Sequence, residues 1–309
     1  MQQLWEAGRD GTLSPTFQKI YFPFFVFGCG VLAAMWPFHT WSPDGHMSAP
    51  TAVSMVHAGV LMKLGAFGVI RIGMMMLPEG ALFWAPWVGG VAVVNVLYGA
   101  IAAYHQSDLK YVIAYSSVSH MGIVLLGAAT LTVDGWNGAV YQMFAHGMMT
   151  ALFFALVGLV YERAHTRWIP DMGGFANVMP GVAAFFTLAG LSSLGLPGSA
   201  GFVAEFLVFL GAWQGAHPWW AIPGILGAFV TAIYVLRAAR AIFWGEAPVS
   251  PHADLSEARS FEWIALWALG ICLVLFGCFP RLILDFIHVS TVPYLELVVG
   301  RGAAMAVLP

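Results

Sequence analysis

The sequence predicts an all-α polytopic membrane protein of about eight transmembrane helices, two of them broken. Three observations carry that expectation. Only 9% of the residues are charged, against about 25% in a soluble domain, too few to cover a water-facing surface. Apolar stretches near the length of a membrane-spanning helix, about 20 residues, recur along the chain. Turn signals separate them, at Pro43-Asp44-Gly45, Pro78-Glu79-Gly80 and Asp134-Gly135, and Trp and Tyr gather at their ends, where amphipathic rings prefer the headgroup level.

Taken in order, residues 1–18 are polar, lack the apolar core of a signal peptide, and read as an outward-facing loop. Residues 19–280 form the membrane domain, with spans at 19–38, 51–76, 84–104, 111–131, 136–161, 180–213, 219–243 and 261–279; residues 281–309 read as a C-terminal tail. Trp36-Pro37 interrupts the end of the first span. The sixth is too long for one crossing at about 1.5 Å per residue, and the Gly, Pro and Ser of 192–201 divide it into two half-helices. Unwound backbone survives at membrane depth only inside protein or beside a water-filled cavity, and paired interrupted helices mark the working site of inverted-repeat transporters. Lys110, Arg163, Arg167, Arg237, Arg240 and Arg259 fall after the third, fifth and seventh spans, which places those connections in the cytoplasm and both termini outside; Arg9, Lys19, Arg281 and Arg301 in the tails weaken that bias.

Composition also excludes functions. Twelve basic against fifteen acidic residues give no reason to expect nucleic acid as a partner. Cys29, Cys272 and Cys278 lie in apolar runs without metal-ligand spacing and read as core or lipid-facing thiols. No phosphate loop, Ser-His-Asp arrangement, flavin motif or CxxC pair is present, so redox chemistry belongs elsewhere.

What remains is a set of ionisable residues inside apolar helices, each costly to keep in lipid when idle. Lys63 sits mid-span with about a dozen apolar residues on either side; it reads as a proton carrier, or as half of a structural ion pair. Glu205 follows the second break in the first turns of a half-helix, where the dipole favours its charge and desolvation opposes it; the plain alternative is a helix cap. His120 and His146 occupy comparable depths in adjacent antiparallel spans and read as a relay, with Ser116 and Ser119 beside the first. A lone buried histidine is more often a satisfied core residue; it is the pairing that favours function. His39, His46 and Asp44 cluster after the first break, where interface polarity explains them. His57 shares a helix with Lys63 but lies six residues away, on another face. His39, His57, Ser116 and Ser119 are therefore secondary candidates. Asp108 and Lys110 read as a solvated pair at a helix junction.

These residues carry a resemblance. The stretch 37–46 (PFHTWSPDGH), then Ala49-Pro50-Thr51-Ala52 and 59–71, resembles the antiporter-like membrane subunits of respiratory complex I, NADH:quinone oxidoreductase. Asp108-Leu109-Lys110 with 115–122, then 142–147, then 195–205, continue it in order across nearly the whole chain. Histidine at His120 and glutamate at Glu205 resemble the M-type chains, counterparts of mitochondrial subunit four; the sister L and N chains typically carry lysine at the Glu205 position. The resemblance implies a multi-pass protein of a bacterial inner membrane, with inverted five-helix repeats, the second complete over 84–243. It implies a proton path through Lys63, His120, His146 and Glu205, and no cofactor in this chain. NADH, FMN, iron–sulfur clusters and quinone are implied in partner subunits, with the sister antiporter-like chains as neighbours. Two departures stand out. The family has about six more helices before Lys19, which a separate chain is one way to supply, and it usually places a lysine where this chain has Leu32. Two other readings stay open: a subunit of a multi-subunit cation/proton antiporter, and a non-transporting structural spacer.

Overall fold

Helix propensity and lipid solvation both require backbone groups to pair within each segment, and the chain obeys. In a computed structural model, residues 2–246 and 255–300 are described and contain no strand; Arg301 and the rest of 301–309 lie outside the described residues. The helices are α1 (Gln2–Arg9), α2 (Pro15–Leu32), α3 (Trp41–Ser48), α4 (Thr51–Met74), α5 (Pro78–Tyr104), α6 (Leu109–Ala129), α7 (Val133–Ala164), α8 (Pro180–Ser193), α9 (Ala200–Gln214), α10 (Pro218–Trp244), α11 (Ser260–Cys278) and α12 (Arg281–Val299). Seven of them, α4 to α7 and α10 to α12, are long and apolar enough to cross a membrane. The pairs α2–α3 and α8–α9 are the two broken helices that the Pro and Gly pattern predicts.

Two segments differ from expectation. Residues 2–9 are helical rather than a loop, because Trp5 has a packing site: the Arg71 guanidinium lies 4.5 Å from the rings of both Trp5 and Tyr294. Residues 281–299, expected as a tail, form α12. Its Ile287, Thr291, Leu295 and Val298 make one buried stripe at helical spacing, which Arg281, Asp285, His288 and Glu296 obscure when apolar runs are counted.

The centre of the bundle is α6. In its most apolar window 94% of the residues are buried, against 17% in α11, so nearly every polar group on α6 faces protein. The breaks are built to leave little backbone unpaired. At the first, Ala34 turns the chain with φ +56°. The freed Trp36 N–H donates to Asn95 Oδ1 of α5 at 2.7 Å, Asn95 Nδ2 donates to the Val118 carbonyl at 2.9 Å, and the Trp41 indole donates to the Val31 carbonyl at 2.8 Å. Helix α4 closes on this break through Gly65, where a Cβ would stand 2.4 Å from the Ala33 nitrogen. At the second break, Ser199 caps α9 by accepting from the Phe202 N–H at 3.4 Å, and the Leu196 N–H returns to the Leu191 carbonyl at 2.9 Å.

Candidate functional site

The four ionisable residues singled out above come from four helices and form one continuous line. Lys63 is 8% exposed, His120 and His146 1% each, and Glu205 4%, so none is an ordinary water-facing charge. Lys63 projects from α4 beside a π-helical turn, His57–Leu61, in which each backbone bond reaches one residue further than in an α-helix. Its Nζ donates to the Ala58 carbonyl of that turn and lies 2.5 Å from His146 Nδ1 on α7. The His146 ring faces His120 on α6 with centroids 5.2 Å apart. His120 Nδ1 is 3.2 Å from Glu205 Oε1 on α9.

The surroundings of His120 give both of its protonation states a partner. Nδ1 accepts from Gln142 Nε2 at 3.2 Å; Glu205 Oε1 is equally near, at 3.2 Å, as an ion-pair neighbour that is not hydrogen-bonded to it. The other nitrogen, Nε2, is 3.1 Å from Ser193 Oγ, the last residue of α8 before the break. An imidazole so placed can exchange a proton through either nitrogen. The break itself seats the carboxylate. Gly195 has φ +71°, and a Cβ there would lie 2.8 Å from Glu205 Oε2; glycine permits both the left-handed turn and the close approach.

The secondary candidates scatter. His39 is 3% exposed, and its ring packs 4.7 Å from that of Tyr98. Ser116 accepts from the Tyr234 hydroxyl at 2.7 Å, toward α10. Ser119 donates to the Val96 carbonyl at 2.8 Å and ties α6 to α5 rather than to His120. His57 stacks on His46 with centroids 4.2 Å apart. Asp108 and Lys110 are not a solvated pair. Asp108 caps α6 at the Lys110 and Tyr111 N–H groups and lies 3.6 Å from Arg167, while buried Lys110 donates to the Ala49 carbonyl at 2.6 Å. Sequence reasoning missed Gln142, Ser193 and Asn95 as partners of these groups. Gln142 alone carried a usable signal: it stands one helical turn before His146 on the same helix.

In the row itself, His146 Nε2 and Glu205 Oε1 are buried without a hydrogen-bond partner, as is Oε1 of the adjoining Gln142; elsewhere so are both nitrogens of His39 and of His46, Nε2 of His57 and Oγ of Ser192. Buried polar groups are normally satisfied by protein or by ordered water, and water satisfies them here only if the line is wet.

Fold and site together define a class: an antiporter-like, all-α membrane protein with discontinuous helices around a buried row of ionisable side chains. The chain belongs to the family described as NADH:quinone oxidoreductase/Mrp antiporter, transmembrane, which matches residues 4–231. It is 40% identical over 277 residues to NAD(P)H-quinone oxidoreductase chain 4 1 of Picosynechococcus sp., covering 87% of this chain and 52% of the relative. It is 37% identical over 273 residues to NADH-quinone oxidoreductase subunit M of Rickettsia prowazekii, covering 88% and 55%. Among solved structures it is similar to a chain of respiratory complex I from Thermus thermophilus with bound NADH, with TM-score 0.85 and 31% identity, over 91% of this chain and 59% of that chain. The chain spans about half the length of the curated relatives it matches.

Proposed function

We propose that this chain is an M-type, proton-translocating membrane subunit of an NADH:quinone oxidoreductase in a bacterial inner membrane. Protons pass along Lys63, His146, His120 and Glu205, while electrons move through NADH, FMN, iron–sulfur clusters and quinone in partner subunits. The observation that supports the reading is the row of buried neighbours from Lys63 to Glu205: a Lys63–His146 hydrogen bond, facing His146 and His120 rings, and Glu205 Oε1 3.2 Å from His120 Nδ1. It is supported by the relatives' names and by the cost of keeping four such groups in lipid. Charge on one member of the row lowers the proton affinity of a like-charged neighbour, so loading one site discharges the next, and such coupling is reciprocal between sites. Neighbours in the membrane are the sister antiporter-like chains.

The test uses Glu205→Gln and Lys63→Ala in the assembled complex. Both lower proton pumping by about tenfold or more, as loss of a positioned proton carrier does, with assembly intact. Full pumping at normal expression in either variant removes that residue from the path. One observation favours a second reading, a subunit of a multi-subunit cation/proton antiporter: the family description names both kinds of machine. Sodium-dependent growth that needs this chain, with quinone reduction unaffected by its deletion, selects that alternative.

A further inference from the structure

The contact between Ser193 and His120 depends on where α8 stands along its own axis. Ser193 is the last residue of α8 and wholly buried, and its Oγ lies 3.1 Å from His120 Nε2. A hydrogen bond of that length is lost when the partners part by about 0.5 Å. The half-helix therefore needs an axial stop. Its C-terminal end does not supply one, because the chain breaks there.

The stop is at the other end, where α7 finishes and α8 begins. The helices that carry His120, His146 and Glu205 are each capped by a neighbour in sequence: Asp108 for α6, Thr132 for α7 and Ser199 for α9. Helix α8 has no such side-chain cap. The first N–H groups of a helix have no partner inside it, and here Glu257 supplies one, from 76 residues beyond Gly181 in the connection between α10 and α11. Its Oε2 accepts from the Gly181 N–H at 2.7 Å, and its Oε1 from the Val182 N–H at 3.3 Å and the Ala258 N–H at 2.9 Å. The helix dipole favours a carboxylate at this place. Gly181 leaves room for the approach: a Cβ there would stand 2.3 Å from the Trp263 ring and 3.1 Å from Glu257 Oε2.

Glu257 is in turn held by α7. Arg163, 8% exposed in the last turn of that helix, donates through Nε to the Ser256 carbonyl at 2.8 Å. Its Nη2 donates to the Glu257 carbonyl at 3.3 Å and to Glu262 Oε2 at 2.7 Å. Residues 256–262 thus form a strap from α7, which carries His146 and Gln142, to the first turn of α8. Arg163 and Glu262 are enough to fasten the strap; what the Glu257 carboxylate adds is the tie to α8. Sideways, α8 is held by apolar packing, with Phe185 edge-on to Trp263 and Trp267 at 5.7 Å and 5.1 Å. Apolar burial is non-directional and allows sliding along the axis, which the directional carboxylate bonds oppose.

We propose that Glu257 is a positioning residue for proton transfer: it stops α8 against a strap anchored on α7 and so holds the Ser193 hydroxyl on His120. The proposal rests on the proton-path reading above and adds to it a determinant acting along about 20 Å of helix. Misplacing a reacting group by about 1 Å is enough to slow a transfer severely.

The test measures pumping per assembled complex in Glu257→Gln, Ser193→Ala and the double variant, with Glu205→Gln in parallel. Glutamine keeps the size of the side chain but offers a single acceptor oxygen to the two N–H groups of α8. Glu257→Gln and Ser193→Ala each lower pumping by about tenfold. The pH profile of pumping shifts alike in both, because both free the same nitrogen of His120. The double variant loses little more than the worse single one. Losses that add in log units overturn the proposal. So does a fall in assembled complex with full pumping and an unshifted pH profile in what remains. Full pumping in Glu257→Gln with Glu205→Gln impaired overturns it and leaves the path standing; full pumping in Glu205→Gln overturns the path. Where Glu257→Gln does not assemble, Glu257→Asp takes its place, keeping the carboxylate and shortening its reach by one methylene. A loss of pumping that disappears in the Ser193→Ala background supports the stop, and full pumping, or a loss that persists in that background, refutes it.

Discussion

The two broken helices use the same device to different ends. In α8–α9 the unwound turn holds Gly195 at φ +71°, and the half-helix after it brings Glu205 back over that turn to within 3.2 Å of His120. In α2–α3 the turn is made by Ala34 at φ +56°, its backbone is secured by Asn95, and the following segment carries His39 and His46, whose ring nitrogens have no protein partner. Leu32 closes the first of these half-helices, where the resemblance leads one to expect lysine. One break thus places a carboxylate in the ionisable row; the other places His39 and His46 against aromatic rings instead. An interrupted helix supplies unpaired backbone and room at membrane depth, and the side chain placed after the interruption decides whether that room holds charge.

The sharpest way to break this comparison is Gly195→Ala. The added methyl group meets Glu205 Oε2 and the left-handed φ is retained, at about 1–2 kcal/mol for the backbone alone. Pumping falls nearly as far as in Glu205→Gln. The matched variant Gly198→Ala is also left-handed, at φ +93°, but a Cβ there meets nothing within 4 Å, and it retains most of its pumping. Equal losses in the two variants would show that strain, not the position of the carboxylate, matters at this break.

Next in size is the histidine pair that links the second break to Lys63. His120→Ala and His146→Ala each lower pumping, and the double variant loses little more than the worse single one, since both stand on one path. Losses that add in log units, at matched assembly, count against a shared path.

At the first break the expected effect is on stability. Asn95→Leu leaves the Trp36 N–H without its partner, at about 1–3 kcal/mol for a stranded donor, and removes the tie to the Val118 carbonyl, which still accepts within α6. Assembled complex falls and its thermal inactivation comes earlier, while pumping per assembled complex is retained. A large loss of pumping at full assembly would give the first break a direct role in transport.

The smallest effect is expected from Leu32→Lys, which restores the family's usual lysine. Leu32 is half-buried at the end of α2. Pumping changes by less than about twofold. A clear gain would show that the first break was waiting only for its charge.

The ionisable row was legible in the sequence because each member is a titratable residue inside an apolar run, a local property. Its partners were not. Gln142, Ser193 and Asn95 are small or neutral polar groups of the kind that usually satisfy themselves within their own helix. Ser119, which was read beside the relay, spends its hydroxyl on Val96. His57 lies six residues from Lys63, and the ring that covers it, His46, arrives on a different helix. The helix of residues 281–299 escaped notice because its four ionisable groups interrupt the apolar count while its buried stripe does not depend on them.

By itself the sequence determined that this is a helical membrane protein, where most of its spans lie, which two are broken and that Lys63, His120, His146 and Glu205 are held inside, but not the helices at 2–9 and 281–299 or the burial of Lys110. What it determined follows from solvation and backbone chemistry within a turn or two of each residue. Only the tertiary structure decided that Lys63 meets His146, 83 residues away, that His120 stands between Gln142 and Glu205, and that His57 stacks on His46. Such contacts depend on which helix faces pack together, on close approaches at Gly65 and Gly195, and on a π-helical turn that no local preference in the sequence reports.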